Sequence, residues 1–221
     1  MRTARARRRN HPSPPAPNGG ARAAILLAAE RIFADAGLAG ARIDAIAEAA
    51  GVNKALLYYY FEGKDDLYLA ALQEQFCEFN RQALEILTAA GPAQEILLRY
   101  LSFHFDTISR RRRLAPLHQQ LLMAGGKAAA ALVRKYAIPR SRALGRLLER
   151  GMHDGEFRRA DVRHTAVSII ALIVFYFSVS PMVRLLGHAD AYSAADLARR
   201  KAQVLDFVRY GVFANPGKII A

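Results

Sequence analysis

Apolar side chains recur every three to four positions through most of this chain, a spacing that places them on one face of an α-helix. The first such run covers residues 22–37 and ends at Gly37, a residue suited to a helix C-terminus. A second, short run covers residues 42–51. A third follows Asn53, whose side chain suits a helix N-cap, and continues to about Phe61. Little of the chain alternates polar and apolar positions, so the sequence predicts an all-α protein.

Longer helices are predicted downstream. Helical spacing continues over residues 65–88 and 93–113, and again over 165–183 and 193–213. Two prolines, Pro116 and Pro139, fall in otherwise helical stretches and are expected to end or kink them.

Four consecutive aromatic residues, from Tyr58 to Phe61, raise a question of burial. Each helical residue advances about 100° around the axis, so one helix cannot bury all four. If Leu57 faces the core, Phe61 packs beside it and Tyr59 points directly away. Tyr58 then lies on the flank, and Tyr60 lies nearer the core side. The sequence therefore predicts tyrosines on the outside of a short helix.

A short helix, a turn containing glycine and a second short helix form the helix-turn-helix layout over about residues 42–61. Outward tyrosines have rigid rings and hydroxyl tips, which suit phosphate oxygens and the edges of bases. Lys54, at the start of the second helix, adds a positive charge to this surface. The layout predicts a DNA-binding element.

Residues 22–68 resemble the DNA-binding domain of the TetR family of transcriptional regulators. The resemblance is carried by FADAG at the end of the first helix and by IAEAAGVNKALLYYYFEGKDDLY over residues 46–68. It implies an N-terminal three-helix helix-turn-helix domain over residues 21–67 and a larger helical ligand-binding and dimerisation domain over 68–221. It also implies a homodimer that binds a palindromic double-stranded DNA operator, most often as a repressor that responds to a small-molecule effector.

The resemblance also implies which side chains meet DNA. Arg42 and Leu56 depart from the family pattern, in which Thr or Ser is common at both positions; Arg42 exchanges a cap for a charge. Tyr60 is as well placed to pack as to contact DNA, and Lys64 falls where the family grips a phosphate. The predicted DNA-contacting residues are Arg42, Asn53, Lys54, Ala55, Leu56, Tyr58, Tyr59, Tyr60 and Lys64.

The charge is unevenly distributed. The formal net charge is +13, of which residues 1–20 carry +5, residues 21–67 carry −2 and the remainder carries +10. The basic N-terminal segment lacks the apolar stretch of a secretory signal, so we expect a disordered tail. Its arginines either follow a phosphate backbone or simply keep the tail solvated. A single cysteine, Cys77, gives no reason to expect an oxidising compartment and favours the cytoplasm.

Residues 165–183 contain no charged side chain. An uncharged segment of this length is a transmembrane candidate. Three serines, Pro181 and arginines on both flanks argue against a membrane span. A helix that is apolar on every side also fits a dimer core. In TetR-like proteins the last two long helices pair across a two-fold axis, here residues 165–183 and 193–213. On this view, Ile173→Asp is expected to split or unfold the dimer.

A chamber for the effector is expected between Glu95 and Phe177, although aromatic residues there suit a plain core equally well. The candidate lining residues are Phe103, His104, His118, Tyr136, Phe175 and Tyr176. No nucleophile, nucleotide-binding or metal motif occurs, so neither a catalytic site nor a cofactor or metal is predicted. The alternative hypothesis is a helical small-molecule-binding protein or enzyme whose activity resides in the C-terminal domain.

Overall fold

The computed structural model describes residues 19–110, 130–179, 182, 185 and 192–217 of the chain. Every regular element in these ranges is a helix, which confirms the predicted all-α class. Most of the basic tail, together with Pro116 and His118, lies outside the described residues.

The chain divides into two compact units, Met1–Ala71 and Leu72–Ala221. We refer to their described parts, residues 19–71 and 72–217, as the reader unit and the C-terminal unit. The boundary lies four residues beyond the predicted one, inside a helix that contributes to both units.

The reader unit contains α1 (Gly19–Gly40), α2 (Ile43–Ala49), α3 (Lys54–Tyr60) and the start of α4 (Lys64–Leu87). α1 begins three residues earlier than the pattern indicated. Its regular geometry is interrupted at Gly37, where φ is 68°. That left-handed conformation is costly for any residue with a Cβ atom, which explains a glycine at the predicted end of the first helix.

The reader unit's core is built from one or two large apolar residues of each helix. Phe33 of α1 meets Tyr68 of α4 edge to face, with ring centroids 5.0 Å apart. The fully buried large side chains are Ile25, Phe33, Ile46, Leu57 and Leu67. Because Leu57 is the buried anchor of α3, it fixes which side of that helix faces outward.

The C-terminal unit contains α5 (Ala93–Arg110), α6 (Ile138–His153), α7 (Val162–Ser178) and α8 (Ala194–Val212), besides the rest of α4. α5 packs against α6, α7 and α8. Pro139 lies in the first turn of α6, directly after a π-helical turn at Val133–Ala137. The predicted irregularity at this proline is therefore present.

The connection between α6 and α7 ties several helix ends together. The Glu156 carboxylate accepts hydrogen bonds from the backbone N–H groups of Ala93, at 3.0 Å, and Gln94, at 2.9 Å. These donors begin α5 and have no partner within their own helix. Phe157 stacks on Phe213, just beyond α8, with centroids 5.5 Å apart. Among the described residues, no helix has the length and apolar character needed to cross a membrane.

Candidate nucleic-acid interface

The turn between α2 and α3 is held by backbone and side-chain hydrogen bonds. Gly51 adopts a φ of 67°, which lets the chain reverse while the Val52 N–H donates to the Ala47 carbonyl at 3.0 Å. The Asn53 Oδ1 accepts from the Leu56 N–H at 2.7 Å. Asn53 is thus the N-cap of α3, as predicted, and its side chain is committed to the helix end.

α3 has one buried face and one exposed aromatic face. Leu57 is completely buried, and Phe61, just after the helix, is nearly so. Tyr59 is 73% exposed and Tyr58 is 48% exposed. The half-buried Tyr60 ring packs edge to face on Tyr59, with centroids 5.1 Å apart. The predicted division of this aromatic run between inside and outside is confirmed.

A carboxylate that sequence reasoning did not single out lies beside the exposed face. The Lys54 Nζ is 2.8 Å from the Asp44 Oδ1, and both side chains are more than half exposed. The hydrogen bond and charge of Lys54 lower the pKa of the Asp44 carboxyl, and Asp44 in turn raises the pKa of Lys54. Asp44 occupies the first turn of α2 and Lys54 the first position of α3, a juxtaposition that only the turn geometry creates.

The remaining predicted DNA contacts occupy different surroundings. Arg42 is exposed at the N-cap position of α2 and makes no capping hydrogen bond through its side chain. Ala55 is exposed and Leu56 is half-buried. The Lys64 ammonium donates to the carbonyls of Ala39 and Ala41, each at 3.3 Å. In this structure Lys64 therefore tethers the end of α1 to the start of α4.

The described members of the predicted ligand-lining set have different neighbours. Phe103 stacks on Phe79 with centroids 5.4 Å apart, and the buried His104 lies 4.9 Å from the same Phe79 ring. Tyr136 is buried and stacks on Phe76 at 5.9 Å. The half-buried Tyr176 carries the Arg200 guanidinium over its ring at 5.0 Å.

Phe175 is a correction to the predicted chamber wall. It is 61% exposed, on the side of α7 away from the buried Ile173 and Phe177. Ile173 is fully buried within its own unit. An aspartate at Ile173 would therefore disrupt that core rather than report on dimerisation. Helical spacing could have separated these residues only if the inward side of α7 had been known.

Polar residues that the sequence did not single out lie inside the C-terminal unit. The Arg140 Nη1 donates to the Asn80 Oδ1 at 2.8 Å, and its guanidinium lies 4.9 Å from the centre of the Phe79 ring. Tyr100 is fully buried and its hydroxyl makes no hydrogen bond to any described residue. Burial raises the pKa of Tyr100, while the nearby Arg140 acts in the opposite direction. No cluster of metal-ligating side chains occurs among the described residues.

Residues 25–71 match the family described as bacterial regulatory proteins, tetR family, and residues 94–208 match the tetracyclin repressor-like C-terminal domain. The second match alone spans more than half of the chain. The chain belongs to the TetR family.

Relatives of this TetR-family chain include the HTH-type transcriptional repressor NicS of Pseudomonas putida, 26% identical over 186 residues. That alignment covers 81% of this chain and 83% of NicS. The fatty acid metabolism regulator protein of Bacillus subtilis is 26% identical over 140 residues, covering 63% of this chain and 72% of the relative.

A crystal structure of FadR from Bacillus subtilis in complex with stearoyl-CoA has a similar fold, with a TM-score of 0.69. It is 22% identical in sequence and the comparison covers 85% of this chain and 97% of FadR. At that identity the likeness concerns the fold. Taken with the family, these comparisons identify a helix-turn-helix regulator of transcription, and not an enzyme. TetR regulators bind DNA operators and typically form homodimers with small-molecule effectors.

Proposed function

We propose that this chain is a homodimeric repressor that reads a palindromic operator with the outward face of α3 and loses operator affinity when a small molecule binds its C-terminal unit. The observation that carries the proposal is the pair of tyrosines, Tyr58 and Tyr59, exposed beside Lys54 while Leu57 anchors the opposite face. Exposing two aromatic rings to water is unfavourable for a surface that has no binding partner, whereas the same rings are well suited to contact a nucleic acid.

The contacts divide by chemistry. Tyr59, at the centre of the exposed face, is the candidate for base edges, with Ala55 and Leu56 offering apolar contact to thymine methyl groups. Lys54 and Arg42 carry charges for phosphates. Tyr58 and Tyr60 complete the set, and Asn53 contributes by fixing the start of the helix. Lys64 contributes a phosphate contact only if it releases the carbonyls that it now holds.

The dimer is proposed to form through the exposed apolar sides of α7 and α8. These two helices pack together, and the Arg200 Nη2 of α8 donates to the Leu172 carbonyl of α7 at 2.8 Å. Their exposed large apolar residues are Val167, Phe175, Phe207 and Tyr210. Such a patch favours burial against a second copy. A two-fold dimer presents two α3 helices to the two halves of a palindrome.

The proposed response of operator binding to a small molecule is supported by two relatives and meets one physical requirement. NicS is named as a repressor, which supports repression by this chain. FadR was solved in complex with stearoyl-CoA, which supports the binding of a small molecule. The effector must bind the operator-competent and operator-incompetent conformations unequally, because otherwise it cannot shift the balance between them. A regulator that binds a DNA operator acts where the DNA is, so the cytoplasm is the proposed site of action.

Selection of bound fragments from a random DNA pool by the full-length chain tests this function. We expect enrichment of an inverted repeat with half-sites centred about one helical turn, or a multiple of it, apart. Recovery of fragments without a shared sequence would contradict the proposal, because phosphate contacts alone carry no sequence information. Recovery of a single, unrepeated half-site would contradict the two-fold arrangement while leaving the role of α3 intact.

A further inference from the structure

We propose that the effector is a monocarboxylic acid with an apolar body, and that Arg140, Asn80 and Tyr100 bind its carboxylate. This inference rests on the ligand response proposed above and adds the chemical class of the effector. The three residues come from three helices, α6, α4 and α5, and none belongs to the DNA-binding surface.

Arg140 is held in place by groups that cannot neutralise it. Its Nη1 donates to the Asn80 Oδ1 at 2.8 Å, while the Asn80 Nδ2 donates to the Phe76 carbonyl at 2.7 Å. Asn80 is therefore fixed at both ends of its amide and orients the guanidinium. In the part of the chain that the structure describes, no carboxylate lies within ion-pair distance of Arg140.

Tyr100 supplies the second observation. Its side chain is completely buried, and its hydroxyl has no hydrogen-bond partner among the described residues. A buried hydroxyl without a partner destabilises a folded protein, so such groups are rare unless something else occupies the site. A ligand oxygen would accept from this hydroxyl and from the neighbouring guanidinium together.

The geometry of a guanidinium explains the choice of a carboxylate. Its planar fork of N–H groups matches the two oxygens of a carboxylate, which a neutral carbonyl cannot reproduce. The surroundings explain the apolar body, because Arg140 lies over Phe79, whose ring also contacts Phe103 and His104. The +10 charge of residues 68–221 is in keeping with an anionic ligand.

The first experiment uses four acids as probes: benzoate, 4-phenylbutyrate, decanoate and palmitate. Each is compared with its own methyl ester in calorimetric titrations of the full-length protein. We expect at least one acid to bind and to release operator DNA, with an affinity at least about tenfold above that of its ester, the scale of one charge-assisted contact. Comparison of the two aryl acids with the two alkyl acids shows whether the apolar body of the ligand is aromatic or aliphatic. Binding by none of the four, or equal binding of acid and ester, would overturn the proposal.

The second experiment compares Arg140→Gln with Arg146→Gln, which removes the same charge from an exposed position on the same helix. Arg140→Gln should weaken acid binding at least about tenfold and leave ester binding and acid-free operator binding unchanged. Arg146→Gln should leave all three unchanged. If Arg140→Gln still binds the acid and releases operator like wild type, the carboxylate site is wrong although the proposed function stands. If wild type never binds an operator, the proposed function itself fails.

Tyr100→Phe gives a signature that a purely structural tyrosine would not produce. Removing an unpartnered buried hydroxyl should raise the ligand-free melting temperature by roughly 2–4 °C and weaken acid binding several-fold. Tyr68→Phe, a buried tyrosine of the reader unit, is the matched control and should leave acid affinity unchanged. A Tyr100→Phe protein that is less stable and binds the acid normally would contradict the role assigned to this hydroxyl.

Discussion

α3 and α7 each carry consecutive aromatic residues, and each buries some of them while exposing others. On α3 the exposed residues are Tyr58 and Tyr59, beside the Lys54–Asp44 ion pair. On α7 the exposed aromatic residue is Phe175, and the exposed Val167 lies about two turns before it. Helical geometry forces both helices to expose aromatic rings, but the outward groups differ in chemistry.

The difference between the two surfaces indicates different partners. Tyrosines end in a hydroxyl and are accompanied by charge on α3, which suits the polar, charged surface of DNA. Phenylalanine and valine offer no polar atom, so the α7 surface gains stability only by leaving water, as it would against a second copy. Substitutions on each surface should therefore have separate effects, on dimerisation for α7 and on DNA binding for α3.

The largest effect is expected for Phe175→Asp. A charge introduced into an apolar interface costs several kcal/mol, and a two-fold dimer contains the substitution twice. The variant should sediment as a monomer with a wild-type circular dichroism spectrum. Ile173→Asp is the contrasting variant, because Ile173 is buried within the unit and its loss should unfold the helices. If the Phe175→Asp protein is still a dimer, the exposed side of α7 is not part of the dimer interface.

Leu57→Ala tests whether Leu57 anchors α3 in the reader unit. Removing a fully buried leucine leaves a cavity and should reduce the stability of the reader unit by about 2–5 kcal/mol. Hydrogen exchange should show the loss in α1 to α3, while residues of α5 to α8 keep their protection. Unchanged protection in α3 would mean that this helix is not held by Leu57.

Tyr59→Ala is expected to weaken operator binding by about 1–3 kcal/mol, the scale of a good base contact, without lowering the melting temperature. Tyr59→Phe keeps the ring and removes the hydroxyl, so it should lose about 0.5–1.5 kcal/mol. Equilibrium binding to the selected operator measures both. Wild-type affinity in Tyr59→Ala would show that the exposed face of α3 does not meet DNA.

The sequence predicted the reader unit in more detail than the C-terminal unit because its signals are local. The Asn53 cap, the Gly37 interruption and the inward Leu57 all depend on spacings within one or two helical turns. Lys64 shows where that reasoning stops. Its charge was predicted to face a phosphate, yet its ammonium reaches carbonyls more than twenty residues earlier in the chain.

In the C-terminal unit, the sequence predicted the helices but not which residues they bring together. The predicted ends of α7 and α8 lie within five residues of the observed ones. An almost entirely apolar helix has no pattern to reveal its inward side, so the sequence does not distinguish the buried Ile173 from the exposed Phe175. Arg140 and Asn80 lie sixty positions apart in sequence, and nothing local indicates that they meet.

The smallest effect is expected at Asp44, a carboxylate beside the proposed DNA-binding surface of α3. Asp44→Asn removes the partner of Lys54 and releases its ammonium for a phosphate. Glu48→Gln removes the same charge from an exposed position on the same helix and is the matched control. We expect Asp44→Asn to raise affinity for non-specific DNA several-fold more than Glu48→Gln does, with a steeper dependence on salt. Equal effects of the two variants would mean that Asp44 acts only through its negative charge and not through its ion pair with Lys54.

The most direct test of two independent surfaces compares binding to a single half-site and to the full palindrome. For wild type, the palindrome should bind far more tightly, because the second contact is made within one complex. Tyr59→Ala should weaken binding to both DNAs, whereas Phe175→Asp should keep wild-type affinity for the half-site and lose the advantage of the palindrome. The two surfaces do not act independently if Phe175→Asp weakens half-site binding as much as Tyr59→Ala does. Retention of the full advantage of the palindrome by Phe175→Asp would contradict a dimer interface on α7.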